Sequence, residues 1–440
     1  MNTVELKSKS DTINWLMAFF VFTFSALLPE YLAPVFLAVA TIFTIRKKHA
    51  IKRSFGSFYI GYIVLAYMCW MLIGMFYSKS IVSGFGNTFL WVMMFGGIWV
   101  FSQWIDTPNK MEQVIFGGAI AAGANGLIGI LQAGIRAVFP SVAPITNSFW
   151  RFIDLIVEFF FKIVVLIIPY EFPKTSFSEY PDRSCGTFSN PLFYATFLVT
   201  MIPFAMYCFL NCKERKHRIV GLVCLLLSLG GIAFSYSRGP YIFAVMTLLL
   251  LLIYGGKRAL KIFGITAAGG VAMLVAFGGD VVSRLLTLLN TDDKSVNLRK
   301  SIYAAILEKI PDRFVFGYGT GFDSVRSILH NEYNIKQPHA HNILLQIQME
   351  NGIIGIILFL VICLTVVYSL FRVYRKGGKA RDFAITIFVS FAGMMMCGMT
   401  DCIFYGLKPL QYMMMIFGLT QACVLMYLKG EKFFRWKIEN

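Results

Sequence analysis

Apolar positions in this chain fall in long blocks separated by short polar stretches. Blocks able to cross a bilayer as helices, roughly 17–25 residues each, run at about 12–28, 31–45, 57–77, 86–104, 114–137 and 191–211. Six more follow at about 219–236, 240–256, 262–280, 352–371, 382–399 and 409–428. The pattern predicts an all-α, polytopic membrane protein with about 12 transmembrane helices and both termini on one side of the membrane. Glu30-Tyr31 marks a tight turn within the first pair.

Two stretches break the rhythm. Residues 138–190 and 281–351 are long connections, and both follow odd-numbered spans. Within the first, residues 149–170 carry Arg151, Asp154, Glu158 and Lys162 on one helical face, with Phe, Leu and Ile elsewhere. A charged stripe of this kind predicts a helix lying in the outer interface, with a re-entrant segment as the alternative. Within the second, 297–310 predicts a helix ended by Pro311, Gly317-Tyr318-Gly319-Thr320-Gly321 a glycine-rich turn, and 323–330 a second helix. Residues 342–352 then predict an amphipathic turn or two that enters the tenth span after Gly352. No internal repeat divides the chain, so residues 1–440 read as a single membrane domain.

Charge sets the expected orientation. Arg46, Lys47, Lys48, Lys52 and Arg53, then Lys213, Arg215, Lys216 and Arg218, then Lys257, Arg258 and Lys261 all fall in even-numbered connections. So do Arg372, Arg375, Lys376, Lys379 and Arg381, and the tail adds Lys429, Lys432, Arg435 and Lys437. Cations gather on the cytoplasmic side of membrane proteins, so both termini are expected to be cytoplasmic and the two long loops to face outward. Composition agrees, with 57% apolar and only 14% charged residues, too much apolar surface for a water-exposed globule. The net charge of +17 is therefore read as membrane anchoring rather than nucleic-acid binding. The nine cysteines show no metal-ligand spacing, and most lie in apolar runs as core thiols. Cys185 and Cys402, both expected outside, could be bonded or free.

Charged residues at the outer ends of spans are costly to place and so mark candidate sites. Arg183 precedes the sixth span, and Arg238 lies in SYSRGPY, where Gly239-Pro240 is expected to force the reversal between spans seven and eight. Arg299 lies on the first loop helix with Tyr303 one turn on, and His341-Asn342 ends the second long loop. Arginine grips phosphate through a planar fork that stays charged, and histidine exchanges a proton near neutrality. Together they suit a departing diphosphate and an activated hydroxyl with no metal or other cofactor. Plainer readings stand beside these. Arg238 could be a snorkelling anchor, and Arg299 could pair with Asp292 or Asp293. His330 and His339 read as solvated loop residues. The glycines of GYGTG lack the lysine and strand of a nucleotide loop and read as turn formers.

SRGPYIFAV, GYGTGF and HAHNILLQIQMENGIIGIILFL together resemble the O-antigen ligase and O-antigen polymerase superfamily, over about residues 183–360. The resemblance implies a GT-C-like integral membrane glycosyltransferase in a bacterial plasma membrane, its active site facing outward. Its donor would be an undecaprenyl-diphosphate-linked glycan, and its acceptor a glycan or a lipid-linked molecule. The resemblance assigns catalytic roles to His341, Arg238 and Arg299. Arg183, Tyr303 and Asn342 join the two arginines as diphosphate and substrate contacts. Ligase and repeat-unit polymerase share this chemistry and differ in acceptor. A transporter or lipid flippase would instead call for ionisable residues at mid-bilayer and symmetrical halves, and neither pattern is visible in the sequence.

Overall fold

A computed structural model describes residues 9–28, 30, 32–45, 59–138, 182–252 and 294–428, with isolated helical positions at 260, 264 and 268. The expected interfacial helix at 149–170, Asp292 and Asp293, and nearly all of the ninth expected span lie outside the described residues. Those described are helical, with turns and short connections and no strand among them. Seven helices are long and apolar enough to cross a membrane. They are α4 (Ile81–Trp104), α5 (Pro108–Val138), α6 (Pro191–Asn211), α7 (Arg215–Phe234), α11 (Ile343–Tyr374), α12 (Gly378–Gly398) and α13 (Leu407–Tyr427). Shorter apolar helices are α1 (Lys9–Phe24), α2 (Leu32–Ile45), α3 (Tyr59–Met75) and α8 (Arg238–Leu252). The chain is an integral membrane protein.

The centre of the bundle is α13, which packs against α4, α12, α11, α2 and α6. It holds Lys408, Gln411, Thr420 and Gln421 with no exposed surface, so each needs a partner inside the protein. Lys408 Nζ donates to Ala26 O at 3.1 Å, Thr187 O at 2.7 Å and Thr187 Oγ1 at 3.1 Å, and lies over the Phe188 ring. That one ammonium ties the turn after α1 and the segment before α6 to the start of α13.

Small residues set the tightest crossing. α5 presents Gly118, Ala119, Ala122, Gly126 and Gly129 as buried positions, and a Cβ on Gly126 would come within 2.3 Å of Leu227 O in α7. Close approach of backbones is how helices associate where the surroundings are as apolar as the side chains.

Trp15 beneath Lys110 puts the start of α1 near the α4–α5 turn. Glu112, one turn into α5, accepts Tyr207 from the end of α6 and Lys379 from the start of α12. The opposite end of the bundle collects the turns at 25–28, 76–80, 182–190, 235–238 and 399–406. The helices α9 (Lys294–Lys309) and α10 (Phe322–Tyr333) cover that end.

Two local expectations need correction. The reversal between α7 and α8 is made by Ser235 to Ser237, with Tyr236 in a left-handed conformation (φ 50°), whereas Gly239 and Pro240 are already helical. Proline fits a first helical turn because its missing N–H would have no helical partner there. The thiols are also not uniformly core, for Cys69 is exposed on α3.

The glycine-rich turn has a packing role. Gly317, Gly319, Gly321 and Gly352 all have positive φ, a region open to glycine at little cost. Gly352 breaks α11, leaving a buried first segment before the longer apolar run. The carbonyls at the end of that first segment accept Tyr318 N–H on Met349 O at 2.7 Å and Gly319 N–H on Glu350 O at 3.0 Å. The GYGTG strip is thus the cap of a broken helix, wedged against Ser78 and Ser83 of the α3–α4 turn.

Candidate active site

His341 ends the loop segment and sits at φ 50°, a left-handed backbone that costs a non-glycine residue about 1–2 kcal/mol. Strain of this sort persists where surrounding contacts over-determine it, and the contacts here are many. Tyr303 in α9 donates its hydroxyl to His341 O at 3.1 Å. Asn342 caps α11, its Oδ1 accepting Leu344 N at 2.9 Å and Leu345 N at 3.2 Å, while its Nδ2 donates to Met399 O at 3.1 Å. Such a cap is worth about 1 kcal/mol. Both polar ends of the Asn342 amide therefore orient the histidine segment.

The imidazole meets a residue that sequence reasoning missed. His341 Nδ1 lies 3.1 Å from Asp401 Oδ1, in the turn between α12 and α13. His339 Nδ1 lies 3.6 Å from the same oxygen, and the two rings meet edge to face with centroids 4.2 Å apart. Asp401 is 3% exposed. Burial would raise its carboxyl, but His339, the hydrogen bond and charge of His341, and the Cys402 N–H bring it down to about 2. Burial holds the His339 imidazole down at about 4 against the pull of Asp401, with His341 and Arg299 lowering it further. His339, expected as a solvated loop residue, is therefore packed into the cluster. The Pro338 bend turns both histidines onto one carboxylate.

No metal cage was legible in the sequence, yet donor atoms of His339, His341 and Asp401 all fall within 4.8 Å of one another and could hold a metal ion. The same separations suit a carboxylate that accepts from one imidazole and attracts the other. His341 Nε2 faces Gln337 Oε1 at 3.3 Å on the more open side.

The expected arginines stand in different relations to this cluster. Arg183 Nε donates to Ser235 O at 2.8 Å and its Nη2 to Ser237 Oγ at 2.7 Å, so it braces the strained turn that ends at Arg238. A Cβ on Gly239 would come within 2.6 Å of Thr400 Oγ1. The Arg238 turn thus abuts the Asp401 turn, and the two halves of the expected site meet there. Arg299, on α9, is near enough to Tyr303 and His339 to act on both electrostatically. Burial pushes the Tyr303 phenol up and Arg299 opposes it. Arg183, Arg238 and Arg299 are all half-buried.

The O-antigen ligase family model matches residues 223–360. Over that stretch the chain is similar to the O-antigen ligase family. No curated protein matches it. The O-antigen ligase match spans Arg238, Arg299, Tyr303, His341 and Asn342, but leaves out Arg183 on one side and Asp401 on the other.

Arg136, in the last turn of α5, is a further cation at this end that the sequence reading passed over. Its Nη2 donates to Ser184 Oγ at 2.7 Å and its Nη1 to Arg183 O at 3.3 Å. Gln132, one turn earlier, accepts Cys185 N–H and Gly186 N–H on one oxygen. A lone basic residue at the end of an apolar block was the available signal. Cys185 and Cys402 are both free and buried. Burial pushes the Cys185 thiol up to about 12, and burial with Asp401 raises Cys402 well above the usual range, so neither is poised to react.

Proposed function

We propose that the protein is a metal-independent, inverting membrane glycosyltransferase that moves a glycan from an undecaprenyl-diphosphate carrier to an acceptor hydroxyl at the outer leaflet. The reading takes the chain as one twelve-span domain with cytoplasmic termini in a bacterial plasma membrane. The observation that carries it is the His341–Asp401 contact, together with three half-buried arginines, in a chain whose residues 223–360 match the O-antigen ligase family model.

In this reading the diphosphate enters from the lipid and meets Arg238 and Arg299, with Arg183 holding the Arg238 turn in shape. Asp401 keeps the proton of His341 on Nδ1, and Nε2 becomes free to accept once the Gln337 amide oxygen that faces it is displaced. An acceptor hydroxyl replaces the Gln337 amide at Nε2 and attacks the anomeric carbon. The new C–O bond forms as the bond to the diphosphate breaks, and the hydroxyl proton passes to His341. The imidazolium then rests against the Asp401 carboxylate. General-base help of this kind contributes typically 10²–10⁴-fold, and fixed positive groups on the leaving diphosphate supply electrostatic stabilisation in a dry site.

The test is transfer from purified lipid-linked glycan in EDTA-washed membranes. Full activity in both His341→Ala and Arg238→Ala, or loss of wild-type activity on EDTA treatment, would sink the proposal. Separating surface glycans by size after gene deletion tells ligase from polymerase. Full-length glycan stranded on its carrier indicates a ligase, and ladders collapsed to one repeat indicate a polymerase.

A further inference from the structure

Glu350 is a buried carboxyl that the chemistry above does not use. It is 3% exposed and lies in the short first segment of α11, one turn after Gln346, which is 4% exposed. Gln346 Nε2 donates to Glu350 Oε1 at 2.5 Å and also reaches the Tyr405 hydroxyl at 2.9 Å. Gln346 Oε1 accepts the Ala340 N–H at 2.8 Å. The second carboxyl oxygen, Oε2, accepts the Gly321 N–H at 3.4 Å. Ala340 is the residue between the two histidines and is fully buried.

An amide side chain can present its oxygen or its nitrogen to a given neighbour, and the two orientations differ little in shape. Turned over, Gln346 would set an N–H against the Ala340 N–H, leaving a buried donor unsatisfied at a cost of about 1–3 kcal/mol. Both Glu350 oxygens face N–H donors, Gln346 Nε2 and the Gly321 N–H, so in this arrangement Glu350 takes the nitrogen end of Gln346 and leaves its oxygen end for Ala340. Packing alone would be met more cheaply by a neutral residue, because burying a carboxyl is costly. Both Glu350 oxygens receive neutral donors, as the ordering role requires.

We infer that Glu350 and Gln346 form a positioning pair, in which the buried carboxyl locks the Gln346 amide and thereby holds Ala340 and the left-handed His341. The pair touches no reacting atom. Its consequence for turnover rests on the glycosyl-transfer reading above, and its consequence for the backbone does not.

The substitution that separates the ideas is Glu350→Gln in full-length protein. Its amide has one acceptor for two donors, so either Gly321 or Gln346 loses its partner. Hydrogen exchange of the peptide covering Ala340 and His341, read by mass spectrometry in detergent, is expected to speed up by at least about tenfold. kcat for transfer is expected to fall on the order of 100-fold, with the donor KM within about threefold of wild type. Gln346→Met, close in volume but without the acceptor, is expected to do the same and covers the case where Glu350→Gln does not fold. The double variant is expected to be no worse than the poorer single one.

Unchanged exchange at Ala340 in both single variants overturns the pair. Faster exchange with wild-type kcat overturns its role in turnover. Losses that multiply in the double variant show that Glu350 acts by itself, which also overturns the inference. An active His341→Ala control removes the transferase reading whatever Glu350 does, and the exchange result still decides the pair.

Discussion

His341 reaches across 60 residues of chain to put its Nδ1 3.1 Å from Asp401 Oδ1, and does so from a left-handed backbone. The carboxylate sits in the turn between α12 and α13, two helices that also frame the approach of the Arg238 turn through Thr400. Histidine, carboxylate and arginine turn are thus referenced to one short connection.

Asp401→Asn removes the charge and keeps the shape, so an imidazolium at His341 loses its counterion. Transfer in membranes is expected to fall by about 10²–10⁴-fold in kcat, with the donor KM little changed. A variant within a factor of about three of wild type would show that Asp401 has no part in the chemistry.

Arg183→Lys is expected to be far from neutral. The guanidinium fork serves Ser235 O and Ser237 Oγ at once, and an ammonium has no such planar fork. The Tyr236 turn loosens and Arg238 is misplaced. The expected result is a donor KM raised about tenfold in protein that still elutes as wild type from a sizing column. An unchanged KM would remove Arg183 from the site.

Helices and turns of this fold were legible where periodicity or a breaker fixed them. The apolar blocks within the described residues became helices, Pro311 ended α9 in a short 3-10 turn, and Gly352 marked the break in α11. Arg238 and His341 were singled out as candidates by residue chemistry at span ends. Asp401 was not, because one acidic residue in a short turn carries no periodic signal, and its partner lies 60 residues away. His339 was misread for a similar reason. A histidine next to proline looks solvated until the fold sets a buried carboxylate beside it. The Gln346–Glu350 pair was hidden in an apolar run, where helical spacing alone does not tell a buried acid from an interfacial one.

Gly352→Ala is expected to destabilise the protein through backbone geometry. A Cβ there would lie 2.1 Å from Val315 O at φ +64°. The left-handed conformation alone costs about 1–2 kcal/mol, and the clash adds to it. Gly377→Ala has the same sign of φ, +72°, with nothing within 4 Å of its Cβ, and so isolates the conformational part. Thermal melts in detergent are expected to rank wild type, then Gly377→Ala, then Gly352→Ala, with the last at least about 4 °C below the Gly377 variant. Equal melting temperatures for the two variants would mean the GYGTG strip does not clamp the helix break.

Acid stability follows from the cluster. In the folded protein burial keeps His339 neutral down to about pH 4, whereas a free imidazole takes its proton near 6.5. Between those values the unfolded chain holds a proton that the folded chain does not, so stability falls as pH drops from about 6.5 to 4. Asp401, held at about 2 against an ordinary value near 3.9, adds a second loss below pH 4 by the same logic. Melting temperature followed by tryptophan fluorescence in detergent is expected to decline through both windows. His339→Asn is expected to flatten the upper window and to shrink the lower one, because His339 is among the groups that hold the Asp401 carboxyl down. An unchanged slope between pH 6.5 and 4 in that variant would mean His339 is not the group that titrates there. The remaining source would be another proton-binding site with a different partner from Asp401.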